Sequence, residues 1–469
     1  MTDAIVFDSD LIRRYDVAGP RYTSYPTAVQ FTEDYGEAEY RRQLADSNRL
    51  GRRLSLYFHL PFCDTVCFYC ACNKVITKNR ARAAPYVQHL IREIGMQGEL
   101  IEAGRTVEQL HWGGGTPTFL SHDEMRAVMD ATRRHFTLRD DDGGQYSIEV
   151  DPREIRTGTL GLLRELGFNR LSMGVQDFDP DVQKAVNRLQ SHQQTIAVLH
   201  EARALGFRSV NMDLIYGLPL QTLDSFTRTL ETVIAARPDR LSVFNYAHLP
   251  QMFKTQRQID ESQLPPAQTK LDILQRTIER LTAAGYVYIG MDHFARPDDE
   301  LAVAQRNGTL YRNFQGYSTH ADCDLIGFGV TSIGAIEGRD ADGRRTAGYA
   351  QNVKTIDEYY ARLDAGRLPV FRGIALSDDD RLRRDVIVSL ICHFSLDTAG
   401  IEARHGVVFR EYFAHELAAL SALERDGLVK VGAGRIAVQP PGQLLIRNIC
   451  MVFDRYLREQ GGRRFSRVI

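Results

Sequence analysis

The run His59-Leu60-Pro61-Phe62-Cys63-Asp64-Thr65-Val66-Cys67-Phe68-Tyr69-Cys70-Ala71-Cys72 places four cysteines within ten residues, spaced C-x3-C-x2-C-x-C. A structural zinc site usually draws its thiolates from two CxxC-like pairs, set about a dozen or more residues apart so that they close a tetrahedron. Here Cys63, Cys67 and Cys70 share one short stretch, where their sulfurs can converge on one face of something larger than a single ion. An iron–sulfur cube is such an object. Three thiolates on a four-iron cube leave one iron without a protein ligand, open to bind and activate a second molecule. A small zinc site is the plainer alternative. One residue separates Cys72 from Cys70, so both can ligate one cube only with strain.

The rest of the composition fits an intracellular metalloenzyme. A chain of 469 residues predicts two or three folded units, and 43% hydrophobic residues suffice for a sizeable core. A net charge of −2 gives no global attraction to nucleic acid or to an anionic membrane, so an anionic ligand would need a local arginine cluster. Of seven cysteines, Cys323, Cys392 and Cys450 are scattered, unlike a secreted disulfide framework. The opening residues carry no signal-peptide pattern, and no apolar run approaches the roughly 20 residues needed to span a bilayer. The expected location is the reducing cytoplasm.

Strand-like runs at residues 54–60, 107–112, 146–151, 170–176, 209–216, 240–247 and 287–294 alternate with helix-like stretches at 84–103, 122–135, 181–205, 223–236 and 267–284. That alternation predicts a parallel sheet. Six or seven such units suit an open, partial barrel. In parallel barrels chemistry sits at the carboxyl ends of the strands. Those ends carry His59, Trp112 with its glycines, Glu149, Asp151, Gln176, Asp213, Asn245 and Asp292. The chain divides into an N-terminal extension (1–50), a catalytic barrel with its extension (51–370) and a mainly helical domain (371–469). In the last, helices at 378–394 and 409–426, short strands at 428–431 and 435–438 and a final helix at 443–458 predict a winged-helix-like arrangement. No concentrated basic face precedes Arg463-Arg464, so a lid over the active site is favoured over DNA binding.

C-x3-C-x2-C resembles the signature of the radical S-adenosylmethionine superfamily, and the fourth thiol, Cys72, resembles its oxygen-independent coproporphyrinogen III oxidase family. The likeness extends to Gly19-Pro20-Arg21-Tyr22-Thr23-Ser24-Tyr25-Pro26-Thr27, residues 57–74, and His111-Trp112-Gly113-Gly114-Gly115-Thr116-Pro117-Thr118. It continues through Ile148-Glu149-Val150-Asp151-Pro152, residues 169–178, 213–219, 244–250 and 290–300, Asn313-Phe314-Gln315-Gly316-Tyr317 and the ending at 465–469. The resemblance implies an α/β fold: a partial (β/α)6-type barrel with an N-terminal extension and a winged-helix-like C-terminal domain.

It also implies site residues. Cys63, Cys67 and Cys70 would hold one [4Fe-4S] cluster, and Cys72 would stay off the cluster yet be required beside it. The glycine run, with Gly114 and Gly115, would take the amino end of S-adenosylmethionine; by itself it is only a turn signal. Glu149, alternating outward in its strand, would hold ribose hydroxyls. Ile333 would flank the adenine, its alternative being a plain core isoleucine. Tyr57 and Tyr69 bracket the cluster loop, Tyr57 adding a hydroxyl near the cofactor and Tyr69 standing beside it or only packing. A second S-adenosylmethionine would meet Gly115, Thr116, Gln176, Arg188, Asp213 and Ala247, unless Arg188 and Asp213 form an internal ion pair.

The implied reaction converts two propionates of coproporphyrinogen III to vinyl groups in porphyrin biosynthesis. It needs an electron donor and an electron acceptor that the sequence does not identify, and the chain is expected to act as a monomer without nucleic acid or membrane. Two rivals remain. A haem-binding chaperone of the same superfamily typically has phenylalanine at the place of Cys72 and lacks the 19–27 stretch. A simple electron carrier would bind its cluster through four cysteines.

Overall fold

The computed structural model describes residues 5–460. The terminal stretch that joins the family resemblance, and Arg463-Arg464, lie outside the described residues. The described chain forms two compact units, one of residues 31–280 and 322–375, the other of residues up to 30, 281–321 and 376 onward. The division read from the sequence, at 50 and 370, follows chain order. These units do not, because the chain leaves the first unit after Arg280 and returns at Asp322.

The first unit is built on strands β1 (Arg53–Leu60), β2 (Thr106–Gly114), β3 (Gln145–Val150), β4 (Arg170–Gln176), β5 (Ser209–Tyr216) and β6 (Arg240–Asn245). Strands β7 (Cys323–Phe328), β8 (Ile333–Arg339), β9 (Arg345–Asn352) and β10 (Val370–Ala375) follow. The sheet runs β6-β5-β4-β3-β2-β1-β7-β8-β9-β10. β1 to β6 are parallel, each added beside the last. This is the partial six-unit barrel that the sequence predicts. β7 joins the other side of β1 in parallel, and β8, β9 and β10 continue antiparallel. Those four strands are absent from the sequence reading, which saw only an extension there.

Helices α1 (Glu37–Leu50), α2 (Ala83–Gly98), α3 (His122–His135), α4 (Thr159–Glu165), α5 (His192–Ala204) and α6 (Leu223–Ala236) accompany the sheet. α3 starts at Ser121 with a capping box closed by Glu124. On one face of the sheet Phe58 stacks on Phe328 at 4.7 Å, and Trp112 meets Phe168 edge-on at 5.0 Å, all four fully buried. The other face is different. Along β3, β4 and β5 every second residue is only partly buried: Ser147 and Glu149, Ser172 and Gly174, Asn211 and Asp213. An ordinary core would be apolar on both faces of such strands, so this polar face is one side of a cavity.

Two sequence expectations need correction. The stretch 181–205 is not one helix. Asn187 takes φ 55° between Pro180–Ala185 and α5, and the intervening loop carries Arg188. The stretch 287–294 is not one continuous strand. Gly290 (φ 139°) and Met291 (φ 54°) fold it into an antiparallel hairpin of Val287–Gly290 with His293–Ala295. Asp292 lies in the turn of that hairpin and pairs with Arg21 in the second unit.

The second unit carries helices Asp378–His393, Thr398–His405 and Ala414–Arg425 with a three-stranded sheet of Ser395–Asp397, Arg435–Val438 and Val429–Val431. This is the order of a winged helix. The single final helix read at 443–458 breaks into Pro440–Leu444, Ile446–Val452 and Arg455–Gln460. Arg383 donates to the Phe453 carbonyl at 3.0 Å, satisfying the end of the middle piece.

Candidate active site

The cluster loop leaves β1 and is anchored along both margins. Val75 and Thr77 amides donate to the Pro61 and Cys63 carbonyls at 2.7 and 2.9 Å. Gly115 and Thr116 amides donate to the Leu60 and Phe62 carbonyls at 2.8 and 2.7 Å, fastening the glycine run to the same loop. Farther along, Asn187 holds the Val66 carbonyl at 2.8 Å, Gln256 the Tyr69 carbonyl at 3.0 Å, and Thr255 the Cys70 carbonyl at 2.9 Å. Gln256 is 1% exposed and also reaches the Ala247 carbonyl at 3.3 Å, which ties the loop after β6 to the cysteines. Phe68 and Tyr69 pack on Val182, Val186, Leu218, Tyr246 and Ile259.

All four loop cysteines are free thiols. Cys63 accepts from the Thr116 hydroxyl at 3.6 Å, and burial pushes its pKa up to about 12. Cys67 receives Arg188 at 3.5 Å and Arg153 at 3.6 Å. Cys70 and Cys72 are hydrogen-bonded to each other. The Cys72 donation, opposed by burial and helped by Lys74, lowers the Cys70 pKa to about 6. The same bond, with the nearness of Cys70 and Glu149, holds Cys72 as a thiol. Cys72 is thus the donor and Cys70 the acceptor of the pair.

Beside the loop, the glycine run is shaped by close approach. A Cβ on Gly113 would stand 2.9 Å from Glu149 Oε1 and from His111 Nε2, and one on Gly114 (φ 111°) would stand 2.6 Å from the His59 ring. A Cβ on Gly115 would lie 2.7 Å from the Pro61 carbonyl carbon and the Phe62 oxygen, both rigid backbone of the cluster loop. Gly115→Ala is therefore expected to displace that loop and lower the iron held per chain after reconstitution, measured against the parent protein.

Glu149 accepts the Gly114 amide at 3.1 Å and His111 Nε2 at 3.2 Å. Burial raises its carboxyl pKa, but His111, the Gly114 amide and His59 outweigh burial and leave it below the ordinary value. It is thus a carboxylate, 45% accessible, facing the cavity. Tyr57 stacks on His111 with ring centroids 5.9 Å apart, and its hydroxyl meets His59 Nδ1 at 3.1 Å. His59 Nε2 bonds the Asn73 carbonyl at 3.0 Å, and burial keeps the ring neutral. Tyr57, Glu149 and Cys72 are close enough that the latter two raise the Tyr57 pKa beyond the effect of burial.

Deeper along the polar face, Asp213 accepts from Asn211 at 2.8 Å and Ser172 at 3.1 Å. Burial raises its pKa to about 6 against those donors. Gln176 takes φ 68° at a register shift in the β4–β5 ladder and, like Ser172 and Gly174, is only partly buried. Arg188 is internally paired, but with Asp151 at 2.9 Å rather than with Asp213. The ion pair weighed from the sequence thus exists with a different carboxylate. Arg188 Nε and Asn245 Oδ1 are buried without partners, two polar atoms left for a ligand. Ile333 opens β8 partly exposed, unlike a core isoleucine. Sequence reasoning missed Asn211, Ser172, Thr255 and Gln256 as supports. The first two follow from the same alternation as Glu149, while the last two stand in a loop with no local signal.

Comparison with known proteins agrees with this geometry. The profile of the radical SAM superfamily matches residues 57–233, and that of the HemN C-terminal domain matches residues 376–445. Oxygen-independent coproporphyrinogen III oxidase of Pseudomonas aeruginosa is 55% identical over 100% of both chains. The chain belongs to the oxygen-independent coproporphyrinogen III oxidase family. The oxidase of that name from Escherichia coli is 52% identical over 99% of both chains. A solved structure described as coproporphyrinogen III oxidase from Escherichia coli, a radical SAM enzyme, matches at 51% identity with TM-score 0.91, covering 97% of this chain and 100% of that one. Membership brings an iron–sulfur cluster and S-adenosylmethionine to this fold. Three free thiols on one anchored loop, a glycine cradle that any Cβ would fill, and orphaned polar atoms fit those groups. Among the described residues, no helix is long and apolar enough to cross a membrane.

Proposed function

We propose that this chain catalyses the oxygen-independent oxidative decarboxylation of two propionate side chains of coproporphyrinogen III, giving the vinyl groups of protoporphyrinogen IX in haem biosynthesis. The observation that carries the reading is the full-length identity of 52–55% to oxidases named for this substrate. The haem-binding chaperone has no comparable support.

In this reading Cys63, Cys67 and Cys70 hold one [4Fe-4S] cluster, and two S-adenosylmethionine molecules bind. Bound there, the cluster and cofactor supply one-electron cleavage that yields a hydrogen-abstracting 5′-deoxyadenosyl radical. The backbone of Gly113–Gly115 admits the amino-acid end of the first cofactor, Glu149 takes its ribose hydroxyls, and Ile333 flanks its adenine. Tyr57 and Tyr69 fix the loop and its hydroxyl environment. Gly115, Thr116, Gln176, Arg188, Asp213 and Ala247 receive the second. Cys72 keeps its proton on sulfur beside the cluster, poised toward Tyr57 and Glu149. Each propionate loses a β-hydrogen, an electron and CO2, so an external donor and acceptor are required. The protein works as a cytoplasmic monomer.

Anaerobic turnover of coproporphyrinogen III by the reduced, cluster-loaded protein, with an electron acceptor present, should release two CO2 per substrate along with 5′-deoxyadenosine and methionine. Air should stop it. Tight haem binding with no CO2 release would replace this reading with the chaperone one.

A further inference from the structure

Cys67 differs from its neighbours in the loop. Arg153 Nη2 stands 3.6 Å and Arg188 Nη1 3.5 Å from its sulfur. Both guanidiniums are oriented by Asp151. Arg153 grips it at 3.0 Å through Nε and 2.7 Å through Nη2, and Arg188 Nη1 reaches it at 2.9 Å. Arg188 is fixed further by the Gly174 carbonyl at 2.7 Å. The fit is tight, since a Cβ on Gly174 would stand 2.8 Å from Arg188 Nη2. The arginine side chains are 16% and 7% exposed, so water screens them little. Cys63, by contrast, has a hydroxyl donor.

We propose that Arg153, held by Asp151 together with Arg188, is a positioning residue that raises the reduction potential of the cluster through Cys67. Reduction adds one negative charge to the cluster. A cationic donor on a ligand sulfur stabilises the reduced state more than the oxidised one. Hydrogen bonds to cluster sulfurs and local charge are among the levers that set such potentials, and charge-assisted bonds are the stronger ones. Asp151 cancels one of the two positive charges and leaves a net cation beside the sulfur. The inference rests on Cys67 being a cluster ligand. Cys67→Ser protein that retains full iron would overturn that underlying reading, and is judged separately.

The test is the midpoint potential of reconstituted Arg153→Gln and Arg153→Lys holoproteins, with iron content determined on the same samples. Loss of the charge in Arg153→Gln should make reduction about tenfold less favourable, a fall of about 59 mV for a one-electron couple. Arg153→Lys should recover part of the shift, keeping the charge but not the planar fork. Resonance Raman should show a change in the iron–thiolate stretches of the glutamine protein, which a purely structural role would not produce at unchanged iron content. A fully loaded Arg153→Gln protein with the parent's potential overturns the proposal. So does loss of the cluster in Arg153→Gln when Arg153→Lys holds one at the parent's potential, or loss in both. Arginine then serves assembly alone.

Discussion

Serine at Cys63, Cys67 or Cys70 is expected to bring reconstituted iron from about four per chain to background and to abolish turnover, whereas serine at Cys72 should leave the iron and remove the activity. Serine offers a harder oxygen in place of a soft thiolate, and cluster iron selects the thiolate. A three-thiolate site also has no spare ligand to lose. Cys72 differs because it donates to Cys70 and is held as a thiol by that bond. Its loss should cost on the order of 10²–10⁴ in rate, the range for a positioned proton-transfer group. The measurement is iron per chain beside CO2 release for each of the four variants. Equal iron loss in all four would make Cys72 a ligand and undo the assignment. Retained turnover in Cys72→Ser would make it a bystander.

The parallel half of the sheet was legible because its strands carry apolar residues at every second position and alternate with helix-like stretches. β4 and β5 were placed with their observed ends, Arg170–Gln176 and Ser209–Tyr216. The extension was not legible. β9, Arg345–Asn352, reads Arg-Thr-Ala-Gly-Tyr-Ala-Gln-Asn, with little of the apolar run that marks a strand. It is stabilised by pairing with β8 and β10 on either side, a tertiary effect that local propensity does not carry. The false single helix at 181–205 failed for the opposite reason. Its residues are helix-compatible, but the loop around Asn187 is fixed from outside, by the Asn187 bond to the Val66 carbonyl and by Arg188 reaching Asp151.

Within the site, spacing alone revealed what lies close in sequence: the cysteines, the glycine run and the outward alternation of Glu149. The ion pair of Arg188 was foreseen as a possibility, but its partner was misjudged. Asp213 lies within β5 and Asp151 just beyond the end of β3, and a one-dimensional reading cannot say which one a loop arginine reaches. The carbonyl clasps from Thr255 and Gln256 span more than 180 residues of chain, and no periodicity encodes them.

Equilibrium binding under reducing, anaerobic conditions should find two S-adenosylmethionine molecules per chain, with Asp213→Asn weakening one by at least tenfold and sparing the other. The argument is electrostatic. Asp213 lies in a cavity where burial raises its pKa to about 6, while Asn211, Ser172 and Ser242 pull it down without restoring the ordinary value. A bound sulfonium or ammonium favours the carboxylate, so affinity at this site should be full above about pH 6. Below that it should fall toward about tenfold per pH unit as the carboxyl is protonated. The glutamate site should not follow, because Glu149 is held below its ordinary value. Without ligand the sign reverses for stability. The raised pKa means that the folded protein binds a proton the unfolded chain releases, so the cost of the buried carboxylate is absent below about pH 4 and complete above about pH 6. Asp213→Asn should therefore raise the thermal midpoint of the ligand-free protein at neutral pH, with the gain shrinking as pH falls toward about 4, while it removes the pH dependence of the weaker site. One molecule bound at saturation, with no pH-dependent component lost in Asp213→Asn, would leave Gln176, Arg188 and Asp213 as structural residues of the barrel.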